Sequence, residues 1–247
     1  MVEQKKIVWT ASNVAFFWHS YLKNPSNHGG WMSEGSGRAI IRRMNEILPG
    51  GFLSTSKVMC DWGCGTGNFA KGFVAKGHKV FGLDQKEVVS QIPQDSDKFI
   101  GISDSSVIHD EELDLVYALE VIEHIIDSEI QKTFGEWRRI LKKSGYLLLT
   151  TPNDENLEAN SIVCPNCEIQ FHTVQHVRSL SMSSISKMLE ENGFKVEKVW
   201  LGEFFFATSR GFAIETLRKV WFAIRRIREG QNKDLKQPHM MVLCKLK

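Results

Sequence analysis

The chain alternates between short apolar runs and segments whose apolar residues recur every three or four positions. The first pattern predicts buried strands, one starting at residue 58 and others at 80–84, 99–102, 196–201 and 240–246. The second pattern predicts helices at 14–22, 34–48, 68–76, 128–143 and 183–191. Lys142 and Lys143 are expected in the last turn of the fourth helix, before Gly145. Such alternation predicts an α/β fold with right-handed crossovers and a mostly parallel sheet, which binds ligands at the carboxyl ends of its strands.

A glycine-rich turn follows the strand that begins at Val58. Gly63, Gly65 and Gly67 lack the Cβ atoms that would keep a ligand from the backbone, and they permit positive φ at a sharp bend. The following helix would point its free N–H groups at whatever the turn holds. The spacing differs from the dinucleotide fingerprint, and no Lys-Ser/Thr pair of a phosphate loop follows. Asp84 ends the next strand, where a carboxylate can accept both hydroxyls of a ribose, so we predict a nucleotide-binding unit.

The residues 61–67, Asp-Trp-Gly-Cys-Gly-Thr-Gly, and 82–84, Gly-Leu-Asp, carry a family resemblance. They resemble the first two motifs of class I S-adenosylmethionine-dependent methyltransferases. The segment 113–124 is similar to the fourth strand and following loop of that family, and 145–153 to its fifth strand. The resemblance implies a Rossmann-like sheet of order 3-2-1-4-5-7-6, with the last strand antiparallel and helices on both faces. It also implies a single domain over 1–247 with a helical cap at 1–50.

The resemblance assigns roles to particular residues. Asp61 and Gly63 would face the amino group of the methionine part, Asp84 would hold the ribose, and Asp104 would contact the adenine amino group. The residues implied to bind S-adenosylmethionine are Asp61, Gly63, Cys64, Gly65, Gly67, Leu83, Asp84, Asp104, Ser105 and Leu119. Because this cofactor carries an activated methyl group, the protein mainly has to align the acceptor and remove its proton.

Glu120, Glu123 and His124 form an E-x-x-E-H motif at the strand end nearest the donated methyl group, and they are our candidate catalytic residues. The motif resembles that of ubiquinone-biosynthesis O-methyltransferases and of small-RNA 3′-terminal 2′-O-methyltransferases. That resemblance implies a divalent metal bound by the motif and a later histidine, where it would lower the pKa of acceptor hydroxyls. Alternatively, Glu123 and His124 start a helix and form local hydrogen bonds.

A second cluster, within a predicted insertion at 160–178, contains Cys164, Cys167, His172 and His176. Two cysteines two residues apart, followed by two histidines, offer four ligands suited to a tetrahedral zinc ion. The pattern also resembles a subgroup of bacterial methyltransferases of unsettled substrate. Three interpretations are open: one structural zinc site, a metal site in which His176 joins the E-x-x-E-H motif, or a metal-free loop with free thiols.

The composition favours a cytoplasmic globular protein. Of the 247 residues, 42% are hydrophobic and 24% are charged, and the net charge of +2 is too near zero to indicate nucleic-acid binding. No apolar run of about 18 residues predicts a membrane span, and residues 1–6 lack the apolar core of a signal peptide. The cysteine count is odd, and Cys60 and Cys64 lie in or beside the glycine turn, which fits a reducing compartment.

A basic amphipathic helix is predicted at 211–229, after three phenylalanines at 204–206. Its apolar residues recur at helical spacing, and its arginines and lysine occupy the other side. Either it packs on the core with a solvated charged face, or it lies in a membrane interface near anionic headgroups. The second interpretation predicts a protein peripheral to the inner face of a membrane, with a lipid or lipid-linked acceptor.

Taken together, these patterns predict methyl transfer to an oxygen, rather than a nitrogen, of a small-molecule, saccharide or lipid-linked acceptor such as a quinone precursor. The alternative enzyme is a 2′-O-methyltransferase of RNA 3′ ends, but the chain lacks a basic excess and a recognisable RNA-binding module. The non-enzyme alternative is a cofactor-binding scaffold. Candidate general bases are His28, His124, His172 and His176. No pattern indicates the oligomeric state.

Overall fold

The computed structural model describes residues 5–24, 32–94, 96–202 and 239–247. The predicted amphipathic helix at 211–229 and the candidate base His28 lie outside these residues. Of the helices within them, none combines the length and the apolar character that crossing a bilayer requires.

Helices and strands alternate along the described chain. The helices are α1 (Ala11–Leu22), α2 (Met32–Ile47), α3 (Asn68–Val74), α4 (Lys86–Val89), α5 (Asp127–Ile140) and α6 (Met182–Glu191). The strands are β1 (Val58–Trp62), β2 (Lys79–Leu83), β3 (Phe99–Ile102), β4 (Leu113–Leu119), β5 (Leu141–Pro152), β6 (Ser161–Val163), β7 (Gln170–His172), β8 (Phe194–Gly202) and β9 (His239–Leu246). The sequence patterns did not predict α4, β6 and β7, which span only three or four residues each.

Seven strands form one sheet of order β3-β2-β1-β4-β5-β9-β8. Strand β9 runs antiparallel to both β5 and β8, and the other neighbours are parallel. Because β6 and β7 form a separate hairpin, β8 and β9 are the sixth and seventh strands of this sheet. The predicted order 3-2-1-4-5-7-6, with an antiparallel last strand, is therefore confirmed.

The helices cover both faces of the sheet. Successive residues of a strand point to opposite faces, so Val116 and Tyr117 of β4, both fully buried, belong to different apolar clusters. Val116 shares its cluster with Trp137 of α5, and Tyr117 shares the other with Phe73 of α3. The carboxyl ends of the parallel strands β1, β2, β4 and β5 therefore lie at one edge of the sheet, between two layers of helices.

The prediction that Lys142 and Lys143 end a helix is wrong. Helix α5 ends at Ile140, and Leu141 already belongs to β5, where it pairs with Leu113. Leu141 is fully buried, and Lys142 Nζ lies 2.8 Å from Asp114 Oδ1 of β4. Strand pairing and this ion pair therefore extend β5 into a segment whose apolar spacing had favoured a helix.

Candidate active site

A cavity of about 800 Å³ opens at the carboxyl ends of β1, β2, β4 and β5. Of the predicted cofactor-binding residues, Asp61, Gly63, Cys64, Gly65, Asp84 and Leu119 line this cavity. The remaining four, Gly67, Leu83, Asp104 and Ser105, are outside its lining. The glycine turn and the end of β4 therefore face a common space.

The glycine turn bends sharply, as its composition suggests. Gly63, Gly65 and Gly67 have φ values of +80°, +52° and +72°. The N–H groups of Gly63 and Cys64 both donate to the carbonyl of Leu83, at 2.8 and 3.0 Å. These bonds fix the turn against the end of β2, beside Asp84.

Asp84 is held by the backbone on both sides. Its Oδ2 accepts from Gly65 N–H at 2.8 Å, and its Oδ1 accepts from Gln85 N–H at 2.7 Å. Burial raises the pKa of Asp84, although the two backbone hydrogen bonds oppose the shift. The carboxylate is thus oriented toward the cavity with lone pairs left for a ligand.

The predicted adenine-contacting residues have other partners. Asp104 accepts from Ser106 N–H at 2.9 Å and caps a short 3₁₀ turn at Ser105–Val107. The Ser105 hydroxyl donates to Glu136 Oε2 at 2.7 Å. Both residues follow β3, so they lie beside the sheet edge on which the cavity opens. Contact with an adenine stays a prediction.

The E-x-x-E-H motif lies where β4 ends. Glu120 has a φ of +55°, which is uncommon for a residue other than glycine, and its N–H donates to Thr150 O at 3.0 Å. The side chain of Glu123 is 1% exposed, and neither of its carboxylate oxygens has a hydrogen-bond partner among the described residues. Burial raises the pKa of both carboxyl groups, and the charge of Glu123 raises that of Glu120 further. Two desolvated carboxyl groups therefore lie at or beside the cavity.

His176 joins this motif from the insertion. Its ring lies 4.7 Å from that of His124, and its Nδ1 lies 2.5 Å from Glu155 Oε2. Burial would raise the pKa of Glu155, but the hydrogen bonds with His176 and Asn160 and the charges of His176 and His172 together lower it to about 2. Burial and the neighbouring His176 lower the pKa of His124 to about 3, so His124 is neutral. A neutral imidazole is the form that binds metals.

The ring of His172 stacks on that of His176, with centroids 4.5 Å apart. Its Nδ1 accepts from the N–H of His176 at 3.2 Å, so in a neutral ring the hydrogen is on Nε2. That Nε2 lies 3.3 Å from Glu155 Oε1. Glu155 therefore lies between two imidazoles, with a hydrogen bond to His176 and a contact with His172.

The structure does not bring the four predicted zinc ligands together. Among the described residues, two groups have ligand atoms within 4.8 Å of one another. One consists of Glu123, His124 and His176, and the other of Glu155, His172 and His176. Cys164 is absent from both groups because it follows β6, whose Ser161 is paired with His172. Three residues of extended chain separate Ser161 from Cys164 by about 10 Å, whereas ligands of one zinc lie within about 4 Å of each other.

The sequence analysis missed several residues of the site, above all Glu155, Trp18 and His239. The indole of Trp18 on α1 donates to Gln175 Oε1 at 2.8 Å, and its ring meets that of His124 edge-on at 5.1 Å. His239 Nε2 lies 3.8 Å from Glu120 Oε2. Only Glu155 could have been predicted, since it follows β5 by three residues and β5 is beside β4.

Residues 32–199, well over half of the chain, match the model of a family described as a methyltransferase domain. The chain belongs to this methyltransferase family. The matched segment is a methyltransferase domain.

A curated relative of this methyltransferase is the mitochondrial ubiquinone biosynthesis O-methyltransferase of Bos taurus, which is 28% identical over 180 residues. The match covers 65% of this chain and 47% of that protein, so the chain spans about half the length of its curated relative. A similar solved structure is 1,6-didemethyltoxoflavin-N1-methyltransferase of Burkholderia thailandensis with bound S-adenosylhomocysteine. It is 12% identical, with a TM-score of 0.63 over 99% of this chain and 93% of that chain.

An S-adenosylmethionine-dependent methyltransferase of Mesorhizobium loti is 16% identical, with a TM-score of 0.56 over 84% of this chain and 97% of that chain. At such identities both solved structures show a common fold alone. The cavity itself suits the donor. Asp61 is 3% exposed, and its Oδ2 has no hydrogen-bond partner among the described residues, so the methyltransferase offers a buried acceptor that an ammonium group would satisfy.

Proposed function

We propose that this methyltransferase methylates a hydroxyl oxygen of a small-molecule, saccharide or lipid-linked acceptor, and that a divalent metal orients this hydroxyl. The observation that carries the proposal is the grouping of Glu123, His124 and His176, whose ligand atoms lie within 4.8 Å of one another. His124 and His176 line the same cavity as Gly63 and Asp84. The bovine relative is named an O-methyltransferase, which supports an oxygen acceptor.

On this proposal the glycine turn and two carboxylates hold the donor. Asp84 would accept hydrogen bonds from the ribose hydroxyls, and Asp61 would accept from the amino group of the methionine part. Gly63 and Gly65 would let the cofactor approach the backbone. S-adenosylmethionine supplies an activated methyl group when bound. The other residues then have to hold the acceptor oxygen in line with that group and take its proton.

Glu155 would orient His176 toward the acceptor. By accepting from Nδ1–H at 2.5 Å, it leaves Nε2 of His176 with a free lone pair. That lone pair can bind a metal together with Glu123 and His124, and Glu120 adds a second desolvated carboxylate beside them. A metal bound there supplies Lewis-acid assistance by lowering the pKa of the acceptor hydroxyl.

The same geometry also supports a metal-free route. In that route Nε2 of His176 takes the hydroxyl proton directly, and Glu155 stabilises the imidazolium that forms. The 2.5 Å contact between Glu155 and His176 favours this candidate. The two routes differ in one measurable property, because only the first requires a metal.

The metal is tested with manganese(II), a hard cation that prefers carboxylate and imidazole to thiolate ligands. Chelator-treated protein is titrated while the free ion is followed by electron paramagnetic resonance. We expect wild type to bind manganese and Glu123→Gln and His176→Gln to lose most of this affinity. His109→Gln, at an exposed histidine, is the matched control and should bind as wild type does. If wild type binds no more manganese than Glu123→Gln, the metal part of the proposal is wrong.

The acceptor is tested by transfer of radiolabelled methyl from S-adenosylmethionine to a panel of saccharides, polyhydroxylated aromatics, lipid-linked sugars and short RNA. We expect transfer to a hydroxyl of a small or lipid-linked acceptor. Transfer to RNA with a free 3′ ribose and to nothing else would favour the RNA alternative. Tight binding of S-adenosylhomocysteine without transfer to any hydroxyl would favour the cofactor-binding scaffold instead.

A further inference from the structure

Cys164 and Cys167 lie in the turn that joins β6 to β7, away from the cavity. The turn is closed by two backbone hydrogen bonds, from Cys164 N–H to Ile169 O at 2.9 Å and from Glu168 N–H to Cys164 O at 2.8 Å. Glu168 has a φ of +58°, a conformation that usually falls to glycine. The chain therefore holds an unfavourable residue in a tight turn that presents two thiols at the tip of a hairpin.

Cys164 and Cys167 are candidate metal ligands that are held together in this one turn. Thiolates are the form of cysteine that binds metals. Two cysteines in a Cys-x-x-Cys spacing are half of the ligand set of a structural zinc ion.

Among the described residues, neither Cys164 nor Cys167 belongs to a group of three or more His, Cys, Asp or Glu whose ligand atoms lie within 4.8 Å of one another. The other three cysteines, Cys60, Cys64 and Cys244, are buried in the core. His172 is directed at Glu155 near the far end of the hairpin, and neither Cys164 nor Cys167 shares a metal-capable group with it. Structural zinc requires four ligands, so two must come from outside this part of the chain.

The hairpin also exposes an apolar edge beside the thiols. Ile162 and Val163 of β6 are 49% and 40% exposed. Strand β7 is paired on both sides. Gln170 forms backbone hydrogen bonds with Lys5 and Ile7 on one side, and β7 pairs with β6 on the other. Among the described strands, β6 pairs with β7 alone. An open strand edge with exposed β-branched residues suits pairing with another chain.

We propose that Cys164 and Cys167 form half of a zinc site that a second copy of this chain completes with the same two cysteines. One Zn²⁺ then joins two chains tip to tip, and the four thiols release their protons to solvent on binding. The apolar edges of the two β6 strands are brought together beside the metal. The site lies outside the cavity, so it is independent of the proposed acceptor and of the cavity metal.

The test uses the full chain, reduced with a phosphine, freed of metal with a chelator and titrated with Zn²⁺ or Co²⁺. Mass is followed by light scattering after gel filtration, and thiolate ligation by the charge-transfer absorption of Co²⁺. We expect the mass to double with zinc, a thiolate absorption that saturates at one Co²⁺ per two chains, and loss of both in Cys164→Ser and Cys167→Ser. His176→Gln removes a cavity ligand and should still dimerise.

Binding of S-adenosylhomocysteine by the cysteine variants shows that they are folded, and it should match that of wild type. The proposal is overturned if wild type stays monomeric in saturating zinc, if the dimer survives chelator, or if it persists in Cys164→Ser. Thiolate absorption that saturates at one Co²⁺ per monomeric chain would overturn it too. None of these outcomes bears on manganese binding in the cavity, so the two proposals fail separately.

Discussion

Replacing Gly63 with alanine tests whether the glycine turn needs its missing Cβ atoms. Gly63 has a φ of +80°, and a Cβ there would lie 2.7 Å from Cγ2 of Val121. Val121 follows Glu120 directly, so displacing its side chain acts next to the E-x-x-E-H motif. One methyl group therefore perturbs both the donor turn and the proposed acceptor side of the cavity.

The expected loss of stability has two parts. A left-handed backbone costs an L-residue about 1–2 kcal/mol, and overpacking against a side chain costs about 1–3 kcal/mol. We expect a loss of about 2–5 kcal/mol, which for a chain of this size lowers the melting temperature by about 4–20 °C. Gly135→Ala is the matched control, because Gly135 lies within α5 and a Cβ there meets nothing within 4 Å. It should raise stability by about 0.5–1 kcal/mol, since alanine favours helices over glycine.

The measurements are thermal unfolding and calorimetric titration with S-adenosylhomocysteine. Gly63→Ala should melt early and bind the ligand weakly, whereas Gly135→Ala should melt late and bind it as wild type does. Equal melting of Gly63→Ala and wild type would refute the assigned backbone strain. Early melting with unchanged ligand affinity would refute the placement of the turn against the cofactor.

Further predictions concern Asp84, Glu155 and the buried His78. Asp84→Asn should weaken S-adenosylhomocysteine binding about 10- to 100-fold in calorimetry, because it removes a charged acceptor from hydrogen bonds worth about 1.5–3 kcal/mol. Glu155→Gln should lower manganese affinity about 10- to 100-fold by loosening His176, and unchanged affinity would contradict that role. His78 is 1% exposed, and burial, aided by nearby lysines, lowers its pKa. As the pH falls toward the usual histidine pKa of about 6.5, the unfolded state therefore binds more protons than the folded state. The free energy of unfolding, measured by denaturant titration, should fall between about pH 7.5 and 5.5, and it should fall less in His78→Gln.

Local patterns were enough to predict the bend of the glycine turn and the position of Asp84 after a strand. Alternate glycines in a turn require positive φ wherever they lie in the fold, and Asp84 ends a strand whose apolar run is plain in the sequence. The order of the sheet came from family resemblance, because short apolar runs do not say which strands are neighbours. Lys142 shows where local pattern fails, since pairing of β5 with β4 overrode the helical spacing.

The proposed acceptor side of the cavity could not be predicted in the same way, because it depends on distances between residues that are far apart in the sequence. Cys164, Cys167, His172 and His176 have the spacing of one zinc site, yet pairing of Ser161 with His172 puts the thiols and the imidazoles at opposite ends of a hairpin. The histidines then meet Glu123 and Glu155, which come from the ends of neighbouring parallel strands. The separation also divides the ligands by chemistry, because thiolates favour zinc whereas carboxylates with imidazole accept harder cations. A single chelator would strip both sites, so manganese and cobalt have to be used as separate probes if the cavity and the hairpin tip are to be told apart.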